Sequence, residues 1–189
     1  MYRKLLSNAN DWSWNNRNGT VNWTVTWNSW AVFSWNWQIS SPITSMPSNF
    51  TISCWVNKSS SGGSEQVLFA KWWSSYERWR FAMYYNGSWN LYVRNAPSES
   101  GSWTYVWNYW YNTWYNVVYV KNWLNIYVYV NWSLATTVSY YQWYDDSTYL
   151  WIWWWTWSQR NFYWTIKEFI VENKAWSSSD VAKYYNDTK

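Results

Sequence analysis

Nucleophilic and acid–base chemistry is narrowly limited in this chain of 189 residues, which contains no His and a single Cys, Cys54. That leaves no histidine for a catalytic triad, no Cys/His zinc cage and no intrachain disulfide. Ten carboxylates remain. The only suggestive strand pair is Glu168 and Glu172, four apart, which a strand running unbroken through both at about 3.3 Å per residue would set about 13 Å apart. A retaining glycosidase needs about 5 to 5.5 Å. The expectation is therefore no enzyme, with a hydrolase built from loop acids such as Glu65, Glu77 or Glu99 as an alternative. Asp145 and Asp146 beside Ser147, and Asp11 in an Asn-rich entry loop, offer the hard oxygens that suit Ca²⁺. Neither stretch has the spacing of a defined calcium loop, so a solubilised turn competes with the metal reading. Ca²⁺ is the one cofactor the sequence suggests.

Saccharide recognition needs ring faces beside amide hydrogen-bonders, and the middle of the chain supplies both. Asn125, Tyr127 and Tyr129 alternate with Leu124, Ile126, Val128 and Val130, which predicts one face on a core and one facing solvent or ligand. Tyr115 and Tyr119 on the preceding strand, with Tyr84 and Tyr92 on an earlier hairpin, are expected on the same outward side. The competing reading is that these tyrosines are cross-strand pairs that stabilise a sheet.

The elements that must position these groups are short strands of period two. Phe50, Ile52, Cys54 and Val56 share one face of a strand. Further strands are predicted at 67–71, 80–85, 90–94, 114–121, 124–131, 135–140, 148–152 and 162–171. Asn86-Gly87-Ser88 joins two of them as a hairpin turn, because Asn and Gly tolerate positive φ. Ser177 to Asp180 reads as a capping box opening a short terminal helix. No repeat of fixed period is visible. The whole chain, 1–189, reads as one all-β domain: a two-sheet antiparallel sandwich with a C-terminal helix.

Net charge is +4, but the basic residues are scattered and never form a run, which argues against nucleic acid. Arg78 and Arg80 flanking Trp79 read as a solvated strand start rather than a single-strand platform. No stretch approaches the roughly 18 to 20 apolar residues that span a bilayer, so no membrane insertion is expected. Met1 to Leu6 is followed at once by polar residues and lacks a signal-peptide core. The chain is expected to be either unexported alone or a piece of a larger exported protein.

Tryptophan is the anomaly. Trp numbers 26 and Gly only 5, where roughly 7% glycine would give about 13. The indoles repeatedly occupy places where turn chemistry wants glycine: Asn22-Trp23, Trp35-Asn36-Trp37, Trp72-Trp73, Asn122-Trp123 and Asn131-Trp132. A non-glycine residue at strained positive φ costs about 1 to 3 kcal/mol. Many such sites would exceed the roughly 5 to 15 kcal/mol by which a domain is stable. The pattern predicts that most Trp letters stand for glycine in the organism's own protein, as when a UGA codon read as glycine is translated as tryptophan. UGG codons at Trp12, Trp14, Trp132, Trp153 and Trp154 would defeat that expectation. The competing reading is a tryptophan-rich surface selected for sugar stacking.

With glycine restored at those positions, the chain resembles a laminin G-like domain of the concanavalin A-like lectin and glucanase group over nearly its whole length. Asn10 to Val21 is similar to the family's Asp-x-Ser-Gly-Asn-x-x-Gly-Thr entry, and Phe50-Thr-Ile-Ser-Cys-Trp-Val56 to its Phe-Thr-Ile-Ser-x-Trp-Val strand. Asn112 to Val118 resembles Thr-Trp-Tyr-His-Val-Ala, with Asn116 in place of the usual His. Ile126 to Trp132 resembles Leu-Tyr-Val-Asn-Gly, and Trp164 to Val171 resembles Gly-x-Ile-Asp-Glu-Val-x-Ile. The resemblance marks Trp55 and Trp114 as genuine and leaves Trp176 undecided. It implies a jelly roll used on cell surfaces and secreted proteins to bind glycans or proteins, and it does not imply catalysis. The Glu-x-Asp-x-x-Glu signature of the glucanases in this group is absent. The expected function is a lectin-like module of a larger extracellular protein, its partner a glycan or a cell-surface protein. A structural or adhesion spacer is the alternative.

Overall fold

The computed structural model describes residues 20–22, 26–27, 31–34, 38–41, 46–59, 65–73, 78–86, 89–95, 103–140, 150–152 and 163–189. Its strands are β1 (Thr20–Asn22), β2 (Thr26–Trp27), β3 (Ala31–Ser34), β4 (Gln38–Ser41), β5 (Asn49–Lys58), β6 (Glu65–Trp73) and β7 (Arg78–Asn86), followed by β8 (Asn90–Asn95), β9 (Trp103–Asn108), β10 (Trp114–Asn122), β11 (Asn125–Val130), β12 (Ser133–Ser139), β13 (Leu150–Ile152) and β14 (Tyr163–Glu172). They form two antiparallel sheets, ordered β1-β4-β13-β6-β7-β8-β9 and β12-β11-β10-β5-β14-β3-β2. We call these the first and the second sheet.

The alternation read from the sequence sets the interior. Phe50, Ile52, Cys54 and Val56 on β5 face Phe81, Met83 and Tyr85 on β7, with Ile126 and Val128 of β11 in the same cluster. Each such side chain, fully withdrawn from water, contributes about 1.5 to 3 kcal/mol. Cys54 is buried and its thiol is pushed far above the ordinary range by desolvation, so it acts as a small apolar residue. On the open side of the sandwich β9 adjoins β12, and Asn95 Nδ2 donates to Ser139 O at 2.6 Å, stitching the two sheets together.

A helix, α1 (Ser178–Thr188), covers the outer face of the second sheet. The predicted capping box is present: Asp180 N donates to Ser177 Oγ at 3.1 Å and Ser177 N donates to Asp180 Oδ2 at 2.8 Å. Val181 and Trp176 pack on Val118, Val120, Tyr129 and Ile170. Thr51 Oγ1 donates to Lys174 O at 2.7 Å and accepts from Trp176 N at 3.0 Å.

Most of the described tryptophans lie on strands, and the expected turn placement of Trp72 and Trp73 is corrected, since both belong to β6 and pair with β7. Trp89, Trp123 and Trp132 do stand at turns with positive φ. Asn131 and Trp132 both have positive φ, 48° and 65°, the pattern of the two-residue hairpin turn that favours Asn-Gly. Trp123 has φ 52° and opens the β10–β11 turn, where a mirror-image turn wants glycine first. Trp89, just before β8, has φ 74°. Trp123 and Trp132 are 70% and 51% exposed, so their indoles gain little from burial. Trp55, Trp164 and Trp176 are the tryptophans in the interior among the described residues. Trp164, which the resemblance sets at a family glycine, packs in the main core cluster, so the glycine expectation is not supported at that position.

Candidate functional site

The register divides the tyrosines expected to share one face. Val118 pairs with Tyr129 and Val120 with Tyr127, whereas Tyr119 pairs with Val128 and Ile52. Directly opposed residues share a face, so Tyr119 points inward. It is 0% exposed and stacks on Phe50 and Phe81 at 5.8 and 5.4 Å. The expected outward placement of Tyr119 is therefore corrected, and Tyr115, also in the core cluster, is corrected with it. Val117 to Val120 is apolar on both faces because α1 covers the outer one, and period-two reading cannot orient such a run.

Asn125, Tyr127 and Tyr129 do lie together on the outer face of the second sheet. Asn125 is exposed and Tyr127 half-buried, but Tyr129 is buried against the helix side of that face. Tyr92 belongs to the other sheet. It lies between Tyr84 and Tyr105, ring centroids 5.3 and 6.1 Å away, in a row crossing β7, β8 and β9. Its hydroxyl accepts from Asn86 Nδ2 at 3.3 Å and from Asn90 Nδ2 at 3.5 Å.

That row leads to a cleft of about 460 Å³ at the end of the first sheet, lined by Trp89, Asn90, Asn108, Tyr109 and Trp110. Local sequence builds it. Asn86 Oδ1 accepts from Asn90 N at 3.3 Å, closing the β7–β8 turn in the manner of an Asx side chain. Tyr109 N donates to Trp89 O at 2.8 Å, tying this turn to the β9–β10 connection. Asn112, at φ 55°, bends that connection, and its N–H donates to Lys58 O at 2.7 Å, fixing it to the end of β5. Asn tolerates this conformation better than most residues. The Trp89 ring stands 4.3 Å from that of Tyr111 and 5.9 Å from that of Trp110.

Apolar ring walls with two amide side chains suit a sugar, and the volume is in the range of small-ligand sites. Asn108, Tyr109 and Tyr111 were not found from the sequence because β9 was not anticipated, and Asn90, at the start of an expected strand, because nothing local shows that its turn meets the β9–β10 connection. The signal for Lys58 was present: it continues the inward series 50, 52, 54, 56.

Glu168 and Glu172, the strand pair weighed for catalysis, are engaged elsewhere. Tyr184 Oη donates to Glu168 Oε2 at 3.1 Å, and Trp176 Nε1 donates to Glu172. A register shift between Lys167 and Ile170, with Glu168 at φ 54°, breaks the strand between them. Asp11, Asp145 and Asp146, and the alternative acids Glu77 and Glu99, lie outside the described residues. Among the described residues no group of three His, Cys, Asp or Glu gathers to hold a metal, and no helix is long and apolar enough to cross a membrane.

No protein-family model and no curated protein matches the sequence. Solved structures do. A Trypanosoma rangeli sialidase in complex with sialic acid superposes with a TM-score of 0.80 at 11% identity, over 99% of this chain and 33% of its own. A structure describing cell entry of botulinum neurotoxin type C through two ganglioside molecules matches with a TM-score of 0.75 at 17% identity, over 99% of this chain and 51% of that one. The binding domain of botulinum neurotoxin DC in complex with rat synaptotagmin II gives 0.73 at 17%, over 98% and 52%. The fold is an antiparallel β-sandwich. Because this chain spans about a third of the sialidase and about half of the toxin chains, these likenesses carry the architecture and not the activity of those proteins.

Proposed function

We propose that this chain is a saccharide-binding, non-catalytic module of the laminin G-like type, working as part of a larger cell-surface or secreted protein. The observation that carries this reading is the cleft at the end of the first sheet, where the Tyr109 ring lies beside the amides of Asn90 and Asn108, three residues that do not depend on whether positions 89 and 110 are tryptophan or glycine. Ring faces take the apolar side of a pyranose, and amides take its hydroxyls. The sialidase, solved with sialic acid, and the toxin structure concerned with gangliosides lend support, since both wholes deal with sugars. A Ca²⁺ ion held by Asp145, Asp146 or Asp11 belongs to the same proposal.

A glycan array probed with the 189-residue chain, with and without Ca²⁺, tests it. Binding that Asn108→Ala weakens by about tenfold or more supports the cleft, the loss of one good polar contact being roughly 1.4 kcal/mol. A flat profile in both conditions overturns it. Protein recognition is the second reading, favoured by Leu124 and Leu134, which stand exposed at the β10–β11 turn and on β12.

A further inference from the structure

Behind the cleft lies a group of side chains that neutral-sugar binding would leave idle. Lys58 is 2% exposed. Its Nζ stands 5.5 Å from the Tyr85 ring centroid, 5.7 Å from that of Tyr111 and 5.4 Å from that of Trp164. Ring faces attract an ammonium, but none carries a full negative charge. Among the described residues no carboxylate lies within 4.0 Å of it. Desolvation lowers its pKa to about 8, with no opposing charge to raise it.

The neighbouring phenols are equally incomplete. The Tyr111 hydroxyl is buried without a hydrogen-bond partner, and those of Tyr85 and Tyr109 have none beyond each other. The Tyr85 and Tyr109 rings are 4.7 Å apart, and Tyr109 itself lines the cleft. Buried polar groups are nearly always paired, and a buried cation without a counter-charge is expensive. One ammonium and three phenols in a single cluster beside an open cleft therefore mark a missing partner that must be anionic and able to accept several hydrogen bonds.

We propose that this partner is the negatively charged substituent of an acidic saccharide, a carboxylate or a sulfate ester, with Lys58 as its counter-charge and the Tyr109 and Tyr111 hydroxyls as its donors. The inference rests on the saccharide-binding reading and narrows it. The Trp89 ring stands 4.3 Å from that of Tyr111, so the test includes the form with glycine at position 89.

The test measures binding of three matched oligosaccharides, neutral, carboxylated and sulfated, to the full chain and to its Trp89→Gly form at physiological salt. An acidic member binding about tenfold tighter than the neutral one is expected, as a single unscreened charge pair can supply, and the carboxylated and sulfated arms show which anion is taken. Lys58→Met should abolish that preference while leaving neutral binding unchanged. Tyr111→Phe, which keeps the ring, should reduce it in part, and serves if Lys58→Met fails to fold. Equal binding of neutral and acidic sugars, or a preference that survives Lys58→Met, overturns this inference and leaves the saccharide reading intact. Absence of binding to all three overturns both.

Discussion

Replacing Trp123 by glycine is expected to stabilise the protein. The residue sits at φ 52° with its indole 70% exposed, so the left-handed backbone is borne with little return from burial. An L-residue there costs about 1 to 2 kcal/mol. Glycine escapes that cost but gives back about 0.5 to 1 kcal/mol through a freer unfolded chain. The net gain is about 0.5 to 1 kcal/mol, which raises the melting temperature by about 1 to 4 °C at this size. Trp123→Ala keeps a Cβ and should gain nothing. Trp55→Gly is the opposite control: Trp55 is buried, stacks on Tyr185 at 5.4 Å and donates to Thr188 Oγ1 at 2.9 Å. Its removal should cost about 3 to 5 kcal/mol. Thermal and urea unfolding of the three variants measure all of this. If Trp123→Gly is no more stable than Trp123→Ala, the argument from backbone freedom fails, and with it the proposal that the turn tryptophans are glycine in the native protein. The codons make an independent check, since that proposal requires UGA at Trp123 and Trp132 and UGG at Trp55.

Stability should rise with pH between about 8 and 10. The folded state holds Lys58 near 8 against an ordinary 10.5, so in this window the unfolded chain binds the extra proton and unfolding becomes harder as pH increases. The full gap is worth at most about 3.5 kcal/mol at roughly 1.4 per pH unit. Above about pH 10 the trend should reverse, because desolvation holds the Tyr85, Tyr109 and Tyr119 phenols protonated while the unfolded ones ionise. Urea unfolding from pH 7 to 11 reads both limbs, and a flat profile that Lys58→Met leaves unchanged refutes the assignment. Ser177→Ala should cost about 1 kcal/mol by removing the N-cap, measured as a lower urea midpoint with an unchanged slope.

Strand positions were legible where one face alone was apolar. The series from Phe50 to Val56 and from Leu124 to Val130 found β5 and β11, and Ser177 with Asp180 found the helix start. Orientation failed at Tyr119, where a second cluster under α1 makes the outward side of β10 apolar too. Sequence spacing registers only contrast between faces, and there is none along Val117 to Val120. The cleft was illegible for a different reason. It joins the β7–β8 turn to the β9–β10 connection, through contacts such as Tyr109 N to Trp89 O, and no local pattern encodes which turns meet. Asn125, Tyr127 and Tyr92 were found as outward residues, but strand order alone tells which sheet each belongs to.

A single hydroxyl, Thr51 Oγ1, both gives a hydrogen bond to the segment leading into the terminal helix and receives one from it. That segment lies outside the sandwich rather than within it, so it can peel away without exposing Phe50, Ile52 or Ile126 to water. The molecule thus carries a detachable clasp: its amides should exchange with solvent through a local opening, well before those of the buried strands beneath.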